Sequence, residues 1–331
     1  MSLTSKIKGT TESDKAFREL LLSIEPSRED YYTLSGKEPF SKQYELLAPP
    51  VVQQQTDAGL VGTAFDYLAR LRVGQFLRKK EVLTGMTWAS MYVHFAENNG
   101  LPYEPGEKWI DSLQTFYKKP KTPITDILEI AVYMAKFERL YRSGGRNTVP
   151  DIHYLTVEPA PAEVIADLTR LMEVFEQAFL ESGILKKKSK VLFNPDFGVV
   201  SELVGGADGD IYIDGTLYDF KTGKNNRLVK NENLQMAGYY LLGEFDTALD
   251  PTMYGFHGSH MNIKRVAFYR ARFGEIEYCN IAEIFPYTVM KPILSKMGEL
   301  VKDRESRLQM PLYSDKDELR LRLKEIRVGE T

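Results

Sequence analysis

Two hydrophobic rhythms divide the chain. Between residues 80 and 182 apolar positions recur every three or four residues, as in Ile127, Ile130, Ala131, Met134 and Phe137. That spacing keeps them on one face of a helix, so helices are expected over 91–97, 109–117, 124–141 and 162–182, punctuated by prolines such as Pro120 and Pro159. Further helical stretches are read at 14–22, 62–76, 231–243, 286–303 and 316–326. In 62–76, Phe65, Leu68 and Leu71 form the stripe and Gly62-Thr63 the expected start. From residue 191 the rhythm changes. Val191-Leu192-Phe193 and Val199-Val200 are expected to begin a sheet, and 263–269 with 275–281 alternate like a hairpin turned at Phe273-Gly274.

Between these lies the most informative stretch, 205–221, which reads Gly-Gly-Ala-Asp-Gly-Asp-Ile-Tyr-Ile-Asp-Gly-Thr-Leu-Tyr-Asp-Phe-Lys. Asp214-Gly215 is a strong signal for a two-residue turn, because both residues tolerate the positive φ that such a turn demands. Counting back from the turn sets Asp210 opposite Asp219 and Asp208 opposite Lys221. With side chains alternating, all four then share one face. Like charges facing across a sheet destabilise it, so these acids call for a counter-charge. Mg²⁺ or Mn²⁺ suits hard oxygen ligands on paired strands, and Lys221 would stand beside such an ion, able to orient a water or offset charge on a phosphate.

These residues resemble the active site of the PD-(D/E)XK nuclease superfamily, and more closely its RecB-like exonuclease branch. In that family a glycine-led strand ends in an Asp, a second strand carries Asp-x-Lys, and a helix with Gln-x-x-x-Tyr follows. Here the counterparts are Asp219-Phe220-Lys221 and Gln235-Met236-Ala237-Gly238-Tyr239, with Gln235 and Tyr239 on one helix face. Strand pairing favours Asp210 as the first-strand acid, whereas the family's glycine-to-Asp spacing favours Asp208; both stay open. Gly62-Thr63-Ala64-Phe65-Asp66 is similar to the family's first motif, with Asp66 where the family has a metal-binding His. An acid in a first helical turn is also favoured by the helix dipole alone.

The resemblance implies a restriction-endonuclease-like α/β (α+β) fold, a mixed β-sheet core flanked by helices with a helical insertion. Its division would be an N-terminal extension (1–60), the first-motif helix (61–80), the insertion (81–190), the core sheet with the Gln-x-x-x-Tyr helix (191–285) and C-terminal helices (286–331). It also implies a metal-dependent deoxyribonuclease, exonuclease-like, in repair, recombination, phage biology or defence. Asp66, Asp210 or Asp208, Asp219 and the Phe220 carbonyl would bind Mg²⁺ or Mn²⁺. Lys221 would position the attacking water, while Gln235 and Tyr239 would orient the acids or the DNA. The alternative is an inactive nuclease-fold subunit that binds DNA or a partner. A separate helicase or recombination partner fits either case.

Composition narrows little beyond this. With 43% hydrophobic and 27% charged residues, the chain is of ordinary globular type. A net charge of -3 argues against a protein that coats nucleic acid non-specifically. Basic clusters nonetheless occur, and Lys221, Lys224, Arg227 and Lys230 follow the candidate site directly, as a phosphate-contacting loop would. A single cysteine, Cys279, excludes an internal disulfide or a four-cysteine iron–sulfur site. No apolar run reaches membrane-spanning length and 1–8 lack a signal-peptide core, so a cytoplasmic, non-membrane protein is the expectation. Glu202 is a further acid before the glycines, and His257 with His260 form a weak metal-pair pattern.

Overall fold

A computed structural model describes residues 3–84, 87–142, 158–248 and 261–302. The expected helix at 316–326 and the His257–His260 pair lie outside them. The architecture is mixed α/β. An open six-stranded sheet runs in the order β1-β6-β5-β4-β3-β2, with β1 Tyr31–Thr33, β2 Val191–Phe193, β3 Ile211–Ile213, β4 Thr216–Lys221, β5 Arg265–Arg270 and β6 Glu275–Cys279. Only β4 and β5 are parallel, and the other neighbours are antiparallel. A parallel pair needs a crossover, and α10 (Lys230–Ala248) lies within it.

The period-2 alternation divides the sheet's apolar side chains between two cores. Tyr218 and Phe220 of β4 and Ala267 and Tyr269 of β5 face one, while Leu217, Val266 and Phe268 face the other. The first core is covered by α3 (Gln55–Leu77) and by α8 (Ala162–Phe175), whose last turn widens into a π-type turn at Glu176–Leu180. Outside α3 pack α5 (Thr87–Asn98), α6 (Glu104–Lys118) and α7 (Leu128–Arg142), with the short α4 (Glu81–Thr84) joining them. The second core is covered by α10, by α1 (Leu3–Lys8), α2 (Glu12–Leu22), α9 (Val199–Leu203) and α12 (Tyr287–Lys302), with the short α11 (Ile281–Ile284) after β6. No helix among the described residues is long and apolar enough to cross a membrane.

Several elements fall where the pattern placed them, including the 263–281 hairpin and the helix after Lys230. Others differ. Helix α3 starts at Gln55, two turns before Gly62, so Asp66 lies mid-helix and the N-terminal dipole no longer accounts for it. The first turn of α3, 55–59, is largely exposed and polar, and Gln54 before it makes no side-chain capping bond, so neither an apolar stripe nor a cap marks the start. Val199-Val200 belong to helix α9 rather than to a strand, because Gly198 at φ 56° turns the chain just before them. Glu202 rides on that short helix, exposed, and does not line the acid pocket. Residues 1–60, read as a lead-in, supply the edge strand β1 and two helices of the second core.

One buried ion pair ties the helical layer to the sheet. Arg272, just past β5, donates from Nη1 and Nη2 to both carboxylate oxygens of Asp167 on α8, at 2.7 and 2.9 Å. Both side chains are almost wholly buried. Removing one partner leaves an uncompensated charge. Arg272→Met is therefore expected to lower unfolding stability by about 3–5 kcal/mol in guanidinium titration, and a second change, Asp167→Leu, to recover most of the loss.

Candidate active site

The turn between β3 and β4 sets the site's register. Asp214 and Gly215 adopt φ of 47° and 96°, and Asp214 Oδ1 accepts the Lys190 amide at 2.8 Å. Pairing then runs Ile213 with Thr216, Tyr212 with Leu217 and Ile211 with Tyr218. One step further, Asp210 stands level with Asp219 where β3 has ended. Its Oδ2 accepts the Phe220 amide at 2.5 Å. Asp208, two residues back, bridges to Asp196 instead and lies exposed at the rim. Both acids line the same cavity of about 390 Å³.

Three elements converge on that cavity. From β4 come Asp219, buried, and Lys221, whose Nζ lies 2.6 Å from Asp219 Oδ2. From α10 comes Gln235, whose Oε1 accepts from Lys221 Nζ at 3.5 Å and whose Nε2 donates to the Tyr239 hydroxyl at 2.6 Å. Tyr239 stacks on Phe197, with ring centroids 5.7 Å apart. From α3 comes Asp66, with Arg70 one turn on. The helix reaches the strand end closely because Gly62 carries no side chain; a Cβ there would meet Thr222 Oγ1 at 3.3 Å. The structure thus brings together Asp66, Asp208, Asp210, Asp219, Phe220, Lys221, Gln235 and Tyr239 around one cavity. Lys224, Arg227 and Lys230 do not line it.

The electrostatics follow from this crowding. Burial pushes the Asp66 carboxyl well above its usual range and Asp210 and Asp219 add to the rise, against Arg70 and Lys221. Burial and then Asp219 push Asp210 up to about 7, opposed by Arg70, the Phe220 amide and Lys221. Burial works against the charge on Lys221, yet Asp219, Glu232 and Asp210 outweigh it and raise its pKa. Lys221 is therefore an ammonium here, a donor rather than a base. Burial holds the Tyr239 phenol protonated, and Asp219, Asp210 and Asp208 reinforce this.

The donor set fits a hard divalent cation. Asp219 Oδ2 is buried and takes no well-aligned hydrogen bond, having only its ion pair with Lys221. Crowded carboxylates that retain protons are groups whose charge a cation would stabilise. Mg²⁺ keeps several waters and needs only one or two carboxylates. Among the described residues no three acidic, His or Cys side chains are arranged to hold a metal ion by themselves, so a cation here would complete its shell with water or substrate oxygens.

Sequence reading missed the other half of the pocket. Arg70, nearly buried, donates to Asn194 Oδ1 at 3.0 Å and lies over the Tyr67 ring. The signal was present: Arg70 follows Asp66 by four residues, on the same helix face. Tyr67 on α3, Trp88 on α5 and Glu138 and Arg142 on α7 line the outer wall and carried no signal, since none stands in a motif and the helices around them were read from their apolar spacing. In comparisons with known proteins, no family model, no curated protein and no solved structure matches this chain.

The crowding has a pH signature. A free aspartate releases its proton near 3.8, whereas Asp210 in the fold holds it to about 7. The stability this contributes is full below the lower value and is lost as pH rises through the upper one. Relative to wild type in EDTA, Asp210→Asn is therefore expected to gain stability progressively from pH 4 to about 7 and to level off above it, reaching on the order of a few kcal/mol. Denaturant titration across that range would measure it, and parallel profiles would rule the crowding out.

Proposed function

We propose that this chain is a metal-dependent deoxyribonuclease of the PD-(D/E)XK type, exonuclease-like, with a restriction-endonuclease-like core. The observation that carries this reading is the convergence of Asp66, Asp210, Asp219 and Lys221, from two strands and one helix, on a polar cavity backed by Gln235 and Tyr239. A protein that needed only a stable fold would lose nothing by dispersing these like charges. The Asp219 oxygen without a well-aligned donor points the same way.

Asp66, Asp210, Asp219 and the Phe220 carbonyl would hold Mg²⁺ or Mn²⁺, with Asp208 at the rim as a further oxygen donor. Such a cation, when bound, supplies Lewis-acid charge to phosphoryl oxygens and lowers the pKa of water. The protein's own part is positional. Lys221, held as an ammonium by Asp219 and steadied by Gln235, can donate to an attacking water or to a non-bridging phosphate oxygen, where negative charge grows as the phosphodiester breaks. Arg70, held by Asn194 in the wall of the same cavity, offers a second fixed cation to the substrate phosphate. Tyr239 accepts from Gln235 and keeps its own proton as a donor.

The test is cleavage of end-labelled linear and circular DNA, single- and double-stranded, with Mg²⁺, Mn²⁺ or EDTA. Metal-dependent cutting is expected, reduced at least about 100-fold by Lys221→Ala or Asp219→Asn. Circular substrates separate endonucleolytic from exonucleolytic action. If wild type cuts nothing and calorimetry detects no Mn²⁺ binding, the reading fails, and an inactive DNA-binding or interaction subunit takes its place.

A further inference from the structure

Where the acid pocket opens toward the helical layer, its wall changes character. Beyond Arg70 it is formed by Tyr67, by Trp88 of α5 and by Glu138 and Arg142 of α7. The Tyr67 hydroxyl donates to Glu138, and Glu138 holds Arg142 at 2.6 Å. The Trp88 ring meets Tyr141 edge-on, with centroids 5.6 Å apart, and the Arg142 guanidinium lies 5.9 Å from the Trp88 centroid. Tyr141 is 51% exposed although it belongs to an amphipathic helix whose neighbour Phe137 is fully buried. On its far side Tyr141 lines a second groove, of about 630 Å³, which continues past Phe95, His94 and Asn98. The acid pocket and this groove thus share the Trp88–Tyr141 contact as their boundary.

A core-forming helix does not need an exposed tyrosine beside a tryptophan and an arginine at the mouth of an acid pocket. The combination suits a polynucleotide with unpaired bases. Aromatic faces stack on any base, worth about 1–3 kcal/mol each, and a guanidinium beside them meets the phosphates or stacks in turn. Duplex bases are already stacked on one another and cannot use such a wall. The Trp88–Tyr141 ring contact joins the walls of the two, so a strand stacked there lies beside the acid pocket.

We propose that Trp88, Tyr141 and Arg142 form a base-stacking platform that receives single-stranded DNA and delivers it to the acid pocket. The delivery step rests on the nuclease reading; the platform itself can be tested without cleavage. In EDTA, a fluorescein-labelled oligo(dT), an abasic strand of equal length, an oligo(U) and a duplex would be titrated with the full chain, following anisotropy and tryptophan emission. The chain has only two tryptophans. Trp109 is buried against Tyr92 and Tyr133, so quenching by bases reports Trp88.

Oligo(dT) is expected to bind more tightly than the abasic strand, the oligo(U) or the duplex, and to quench emission. Tyr141→Ala, at an exposed position, should weaken oligo(dT) binding about tenfold and leave abasic binding unchanged. Trp88→Phe keeps an aromatic ring against Phe137 and should remove the quenching. Equal binding of abasic strand or duplex, unaltered affinity in Tyr141→Ala, or binding without quenching would overturn the platform, and preference for oligo(U) would overturn its assignment to DNA. If these signatures appear in a protein that cuts no DNA, the platform stands and the nuclease reading falls. If the protein cuts DNA and Tyr141→Ala binds and cuts as wild type does, the reverse holds.

Discussion

The arrangement depends on one repulsion. Asp66, Asp210 and Asp219 crowd the end of β4, and among the described residues Lys221 and Arg70 are the cations that offset them. Left to itself this cluster would push α3 away from the sheet. It is restrained by apolar contact immediately behind it, where Phe220 packs edge-on against Phe65, Phe175, Phe179 and Tyr269. Phe220 lies between Asp219 and Lys221 in sequence but faces the other side of the strand, so the residue that anchors the strand leaves the acid and the cation together on the opposite face. Burial of that aromatic knot offsets the electrostatic cost, and the two are inseparable in sequence because they alternate along a single strand.

The second core does comparable work for the other partners. Helix α10 is seated by Leu234, Ala237, Leu241 and Phe245, all buried, and this fixes Gln235 and Tyr239 over the strand ends. Arg270, next to Lys221 across the β4–β5 pair, reaches Glu232 on α10 and Glu277 on β6. The helix that carries Gln235 is thus joined to the sheet by charge as well as by apolar area. Glu232 also acts on Lys221, so the cation of the candidate site feels the network that positions its neighbours.

Much of this was legible in the chain because it is local. The Asp214-Gly215 turn specifies the β3–β4 register, and the register places Asp210 and Asp219. The four-residue spacing of Gln235 and Tyr239 specifies a shared helix face. What the sequence did not disclose depends on distant contacts. Helix α3 begins at Gln55 with an exposed, polar first turn and no side-chain cap from Gln54, so nothing local marks its start, and only from Leu60 on does tertiary packing bury it. Arg70 acquires meaning only when α3 meets Asn194, 124 residues on. Trp88 lies just before the helix expected at 91–97 and Tyr141 ends the one expected at 124–141, and helical spacing cannot tell a buried ring from one at a pocket mouth.

The edge strand β1 carries a consequence of its own for how the molecule reaches this state. Tyr31–Thr33 pairs with β6, and Tyr31 Oη donates to Asn233 on α10, partners made some 200 residues later in the chain. During synthesis the amino-terminal segment must wait, unpaired, until nearly all of the sheet has emerged. The β4–β5 parallel pair, with its crossover, imposes a second long loop closure. Assembly is therefore governed by non-local pairings and should be slow, with apolar strand surface exposed meanwhile, the condition under which chains of this size recruit chaperones.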